Sequence, residues 1–310
     1  MSKIAFKFAH LTDIHLPIRK KPPLRSLLNK RILGYQSWLR KRSARHQQWA
    51  SEALIADIRS QSCDTVLITG DLVNIALPSE FQDARRWLDG QFGSEKIIYT
   101  PGNHDTYTTA PWDDTLGLLS PYMSGDRNDG LGPRAPNGFE DFPFFTAPIP
   151  SLGIIGANSS PTTAPGLATG TIGQNQRQRL SKIISDKSGS EVFNVLMLHH
   201  PITPGVVSRR KELTDRTELC NDLTQTNLHL VLHGHAHIQY VGHIKTANGT
   251  TPVVGGGSAS HPFGNGKYRP ARYNLFDVSS STDGEWSIKM TIRELNPQNR
   301  KTSTVETLSL

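Results

Sequence analysis

Two cysteines in 310 residues are too few for a disulfide framework, and Cys63 and Cys220 stand far apart in no CxxC pair. This argues against a thiolate zinc site and a small disulfide-held scaffold, and a reducing compartment is expected. No apolar run is long enough to span a bilayer. The first dozen residues mix Lys with apolar residues instead of forming the continuous apolar core of a signal peptide. A cytoplasmic location is therefore expected. Internal repeats and low-complexity tracts are also missing, and the chain reads as a single domain over 1–310.

Acidic residues are missing from one stretch in particular. Residues 19–45 contain Arg19, Lys20, Lys21, Arg25, Lys30, Arg31, Arg40, Lys41, Arg42 and Arg45 with no Asp or Glu among them. Without those ten residues the formal charge of +7 would turn slightly negative. The basicity is one local patch on a mildly acidic body, which makes a nucleic-acid-coating role unfavourable. Leu24, Leu27, Leu28, Ile32, Tyr35, Trp38 and Leu39 fall roughly on one helical face of this stretch. Two readings stand side by side: a solvated helix packed on the core by that stripe, or an interfacial helix meeting an anionic membrane surface.

Elsewhere the pattern alternates strand and helix. Strands are predicted over 4–11, 65–69, 96–100, 152–157, 192–198 and 228–232, and helices over 43–60, 174–187 and 214–226. A further helix starts near Pro78, with Ser79 as N-cap, Gln82 completing a capping box, and Phe81, Ala84 and Leu88 as its buried stripe. Residues 106–150 read as a long ordered loop whose aromatics need burial. From about residue 240 the chain becomes strand-rich, with strands predicted over 240–244, 251–254, 273–278 and 286–293. The fold class is α/β: a two-sheet β-sandwich flanked by helices, in four layers.

Five short motifs follow predicted strands: Asp13-Ile14-His15, Gly70-Asp71, Gly102-Asn103-His104-Asp105, His199-His200-Pro201 and Gly234-His235-Ala236-His237. An isolated DxH or GHxH is common. Five in order, each at a strand end, supply carboxylates, neutral imidazoles and an amide oxygen, the donor set that holds paired divalent transition metals. Asp71, after Gly70 at a tight turn, is the natural bridge. Asp13 and His15, like His235 and His237, are two apart, and an extended backbone would point each pair to one side.

This arrangement resembles the calcineurin-like metallophosphoesterase superfamily, over about residues 4–240, and its motif set is most similar to class III cyclic-nucleotide and glycerophosphodiester phosphodiesterases. The resemblance implies two divalent transition ions (Mn, Fe or Zn) and a metal-bridging hydroxide that attacks phosphorus. It places Asp13, His15, Asp71 and His237 on the first ion, and Asp71, Asn103, His199 and His235 on the second. His199 rather than His200 follows from its position directly after the strand. His104 would be the imidazole that binds no metal and protonates the leaving group or stabilises the transition state, with Asp105 orienting it. The expected partner is a small-molecule phosphoester, most simply a phosphodiester. The alternatives are a phospholipid or lipid-linked pyrophosphate met at a membrane surface, and a non-catalytic metal-binding scaffold. Of the remaining histidines, His10 and His233 read as core or supporting imidazoles, His46, His229 and His243 as structural or surface residues, and His261 as a loop residue that could approach substrate.

Overall fold

The computed structural model describes residues 4–92, 97–187, 189, 191–281 and 284–310. Its frame is a pair of six-stranded mixed sheets. In the first, β1 (Ala5–Leu11), β2 (Thr65–Thr69) and β3 (Ile97–Thr100) are parallel, and β10 (Arg272–Ser280), β11 (Trp286–Asn296) and β12 (Lys301–Ser309) continue it antiparallel from β1. In the second, β5 (Leu152–Gly156), β6 (Phe193–Met197), β7 (Leu230–His233) and β9 (Gly249–Gly255) are parallel, with β4 (Phe144–Ile149) and β8 (Tyr240–Thr246) antiparallel at its edges.

The layering follows from the two-residue period of strands. Ile154, Val195, Met197 and Leu232 join Phe8, Leu67 and Phe276 in one core between the sheets. The alternate residues Ile155, Leu196 and Val231 join Leu180, Ile183 and Leu219 in a second core. Those last three belong to α5 (Gln174–Asp186) and α6 (Arg216–Leu223), which cover the second sheet. On the first sheet, α3 (Gln48–Ser60) and α4 (Pro78–Gln91) bury Leu54, Ile55 and Ile58, and Phe81, Ala84 and Leu88. The four-layer sandwich expected from the alternating pattern is the architecture observed.

Three local expectations need correction, and one strand lies outside the predicted set. The helix expected over 43–60 is broken: a single turn α2 (Ser43–Arg45) ends at His46, and His46 and Gln47 are extended before α3 begins. The reason is tertiary, because Gln47 N–H donates to the Ser260 carbonyl at 2.8 Å and His46 Nδ1 lies 2.8 Å from Ser260 Oγ. At the start of α4, Pro78 takes the first helical position, Leu77 caps it, and Ser79 and Gln82 make no cap. The buried Glu80 carboxylate closes the turn instead, accepting from the N–H groups of Asn74 (2.7 Å), Ile75 (3.2 Å) and Leu77 (3.0 Å). The expected loop over 106–150 contains a 3-10 stretch (Leu116–Met123) and β4. Finally, β12 carries no apolar alternation, since a sheet-edge strand needs only one paired neighbour and buries little. Residue 96, in the predicted strand 96–100, lies outside the described residues.

The basic stretch forms a 3-10 turn (Leu24–Leu27) and then one continuous helical run over 31–45, in which a π-helical segment (Trp38–Arg42) joins α1 (Arg31–Ser37) to α2. Leu27, Tyr35 and Trp38 pack against buried Ile18, Ile75 and Leu77. Arg31 fastens the stretch to the body through the carbonyls of Ile75 (2.9 Å) and Ala76 (2.6 Å). The stripe as a whole does not pack: Leu24, Leu28, Ile32 and Leu39 are exposed.

Candidate metal centre

All five motifs lie just beyond the carboxyl ends of parallel strands β1, β2, β3, β6 and β7, where an open α/β sheet presents its loops. The strand ladder is carried on into the loops: Asp13 N–H donates to Gly70 O (3.1 Å) and His15 N–H to Asp71 O (2.9 Å). Gly234 N–H likewise reaches His199 O at 3.0 Å in the second sheet. Gly70 is required twice over. Its φ is +89°, and a Cβ there would meet Gly102 N at 2.5 Å and His199 Nδ1 at 2.7 Å.

Five motif residues occupy the left-handed region: Asp13 (φ 54°), His15 (45°), Asp71 (58°), His235 (66°) and His237 (56°). Each non-glycine residue held there costs on the order of 1 kcal/mol. The expected geometry for the i, i+2 pairs is therefore corrected. Their side chains converge by strained turns and not by extended alternation. Such strain persists only where surrounding bonds over-determine it, and those bonds are present. Asp71 Oδ1 accepts from His104 N–H (2.7 Å), and Asp13 Oδ2 accepts from His235 N–H (3.0 Å) and Thr12 Oγ1 (2.8 Å).

With one oxygen of each aspartate tied back, the other faces the imidazoles. Asp71 Oδ2 lies 3.7 Å from His15 Nε2 and 3.4 Å from His199 Nε2, and Asp13 Oδ1 lies 3.0 Å from His237 Nε2. Asp13, His15, Asp71 and His237 place one donor atom each within 4.8 Å of one another, the set the resemblance implies for a first ion. Asn103 Oδ1 sits 3.2 Å from His199 Nε2, and the His235 ring centroid is 5.0 Å from that of His199. His200 is turned away toward Ser159 Oγ (2.9 Å) and Ala168 O (3.3 Å), so of the adjacent pair His199 faces the cluster.

The donor set fits divalent ions on two counts. Buried His235 Nε2 has no hydrogen-bond partner within the protein, and orphaned buried polar atoms are rare. Burial holds His15 and His235 far below the ordinary histidine pKa, which leaves neutral imidazoles with lone pairs. His199 differs: burial opposes its charge, but the adjacent Asp71 overrides this and holds it up near 9. Asp71 itself is kept well below the carboxylate range, because His199 and His104 outweigh the penalty of burial.

Asp105 does not orient the His104 ring as expected. Its carboxylate accepts from four backbone N–H groups: Asp71 (2.7 Å), Leu72 (2.9 Å), Val73 (3.0 Å) and Gly102 (2.8 Å). It stitches two ligand loops together. The His104 imidazole is held instead by the Asn74 carbonyl, 2.6 Å from Nδ1. Burial and the Arg42 guanidinium lower His104 to about 3, so the ring is neutral. With Nδ1–H donated to Asn74, its Nε2 accepts from Arg42 Nη2 at 2.7 Å.

Arg42 was not singled out from sequence, nor was the position of His46. A nitrogen of His46 lies within 4.8 Å of nitrogens of His15 and His237, so this residue belongs to the site. The lack of acid in 19–45 marked a cationic stretch but did not reveal which side chain turns inward. A cavity of about 150 Å³ opens over the cluster, walled by His15, Arg42, Arg45, His104, Lys211 and Tyr268, with His261 also in its lining. A second cavity of about 690 Å³ is lined by Asp105, Thr106, Asn158, Ser160, Gln176 and Arg179 among others. His10 (2.8 Å from Thr69 Oγ1) and His233 are buried supports, His229 stacks on Phe193, and His243 is exposed.

A family model described as calcineurin-like phosphoesterase matches residues 6–239. The chain belongs to that family. It is a metal-dependent phosphoester hydrolase by this membership, and its fold recurs in solved relatives. A dimetal phosphatase from Danio rerio is similar at TM-score 0.57 and 14% identity, over 98% of each chain. Purple acid phosphatase PPD1 from yellow lupin gives TM-score 0.57 at 11% identity, over 99% of this chain and 53% of the lupin protein. The 5′-nucleotidase precursor from Thermus thermophilus gives 0.52 at 15% identity, over 96% of this chain and 56% of its own. The chain thus spans about half the length of the last two. No curated protein matches the sequence. Among the described residues, no helix is long and apolar enough to cross a membrane.

Proposed function

We propose that the chain, as a single catalytic domain, is a two-metal phosphodiesterase, with Asp71 as the shared ligand of Mn, Fe or Zn ions. The observation that carries this reading is the position of Asp71 Oδ2 between His15 Nε2 (3.7 Å) and His199 Nε2 (3.4 Å), where one carboxylate can serve both ligand sets. Asp13, His15 and His237 would complete one set, and Asn103, His199 and His235 the other. When bound, such ions supply an activated water and neutralise charge on the phosphoryl oxygens.

The chain's own residues then divide the remaining work. Arg42, held against His104 and walling the smaller cavity with Arg45 and Lys211, presents fixed positive charge to the phosphate. His104, neutral and fixed by Asn74, positions the leaving oxygen. The diester reading is supported by a second, larger recess close to the site, since the adjacent residues His104 and Asp105 line the smaller and the larger cavity respectively. A cytoplasmic setting is part of this reading, from the scarcity of cysteine in the sequence. A second reading, hydrolysis of a lipid phosphodiester, is favoured by the leucines exposed in 19–45.

Manganese-loaded enzyme should turn over bis(p-nitrophenyl) phosphate faster than p-nitrophenyl phosphate. The reverse preference would replace the diester reading with a monoesterase. Turnover of neither substrate, with metal bound, would make the chain a scaffold.

A further inference from the structure

We propose that the outward face of residues 19–45 docks the protein on an anionic phospholipid surface. This goes beyond the reaction and does not depend on it. Soluble proteins scatter exposed leucines singly, and here they are concentrated: Leu24 (78% exposed), Leu28 (84%), Ile32, Leu33 and Leu39 (55%) lie within sixteen residues. Their inner neighbours Leu27, Tyr35 and Trp38 are seated on the body, so the outer leucines are fixed in place and not waiting for a core to receive them.

Charge decides what could cover this face. Arg19, Lys20, Lys21, Arg25, Arg40, Lys41 and Arg45 are exposed among the leucines, with no acid in the stretch to screen them. A partner must accept apolar side chains and offset many cations together. An anionic bilayer interface does both, through its acyl boundary and its headgroups. A second copy of the chain would set these cations against each other, and a polyanion such as nucleic acid would leave the leucines in water. A 3-10 turn followed by one helical run over 31–45, loosened by its π-helical segment, carries both residue types along the stretch. At its far end the same stretch turns inward, where Arg42 meets His104 and His46 joins the metal-ligand cluster. Docking would thereby bring an interface beside the mouth of the site.

The test is co-sedimentation with vesicles of phosphatidylcholine, with and without phosphatidylglycerol. Wild type should sediment with the anionic vesicles only, and added salt should release it. Two double variants avoid every residue assigned to the site: Leu24→Ser/Leu28→Ser and Arg25→Glu/Lys41→Glu. Each should weaken partitioning about tenfold or more, while melting temperature and turnover of a soluble diester stay at wild-type values. Equal binding to both vesicle types, or no binding, overturns the proposal. So does unchanged binding in either variant. If only the charge variant loses binding, the face is a general polyanion site and membrane docking is rejected.

Discussion

The ligand loops and the basic stretch lie side by side and are built in opposite ways. In the loops, polar side chains are buried and tied: Asp105 alone gathers four backbone N–H groups, and Asp13 and Asp71 each have one oxygen fixed before the other faces a histidine. In the basic stretch, apolar side chains face water and most cations have no buried partner, yet Arg31 and Arg42 anchor it to the body and to His104. The first region is organised around chemistry, which tolerates little displacement. On the docking proposal, the second is organised around contact with a surface outside the chain. The two segments meet at Arg42, whose guanidinium lies against His104.

Substitutions can break or sharpen that contrast, and the largest effects belong in the loops. Asn103→Ala and His104→Ala should each lower turnover of bis(p-nitrophenyl) phosphate by about 10²–10⁴-fold, and only Asn103→Ala should also lower bound metal per chain. Arg42→Ala should cost about 10- to 100-fold in turnover with metal content unchanged. Arg42→Lys should restore little, because the planar guanidinium lies along the imidazole with Nη1 and Nη2 3.0 and 2.7 Å from its two nitrogens. Wild-type rates in Arg42→Ala would cut the link between the two regions.

Asp105→Asn tests stitching against orientation. An amide cannot accept four N–H bonds with its charge removed, so denaturant unfolding should show a loss of about 3 kcal/mol. An activity loss with unchanged stability would instead return Asp105 to orienting His104. The smallest effect is predicted for Leu28→Ser, which should leave both stability and turnover of soluble diesters within about twofold of wild type. A large loss of stability there would mean that the exposed leucine is covered by the protein itself.

Much of this was legible in the sequence, and the failures share a cause. The motifs could be read because each follows an apolar run that becomes a buried strand, such as Thr65–Thr69 before Gly70-Asp71. The layering could be read because two-residue alternation splits Ile154 from Ile155 between two cores. What escaped depends on long-range contacts with no local trace. The break at His46 is enforced from residue 260, the left-handed turns at Asp13 and His15 by bonds across loops, and β12 by a neighbouring edge. Arg42 escaped for the same reason: in a run of cations, only the fold selects which one turns inward.

Turnover of bis(p-nitrophenyl) phosphate by manganese-loaded wild type and Asp71→Ala, measured side by side, tests the central claim most directly. If Asp71 is shared by both ligand sets, the variant should lose at least about a thousandfold in rate. Equal rates in the two proteins would contradict the account.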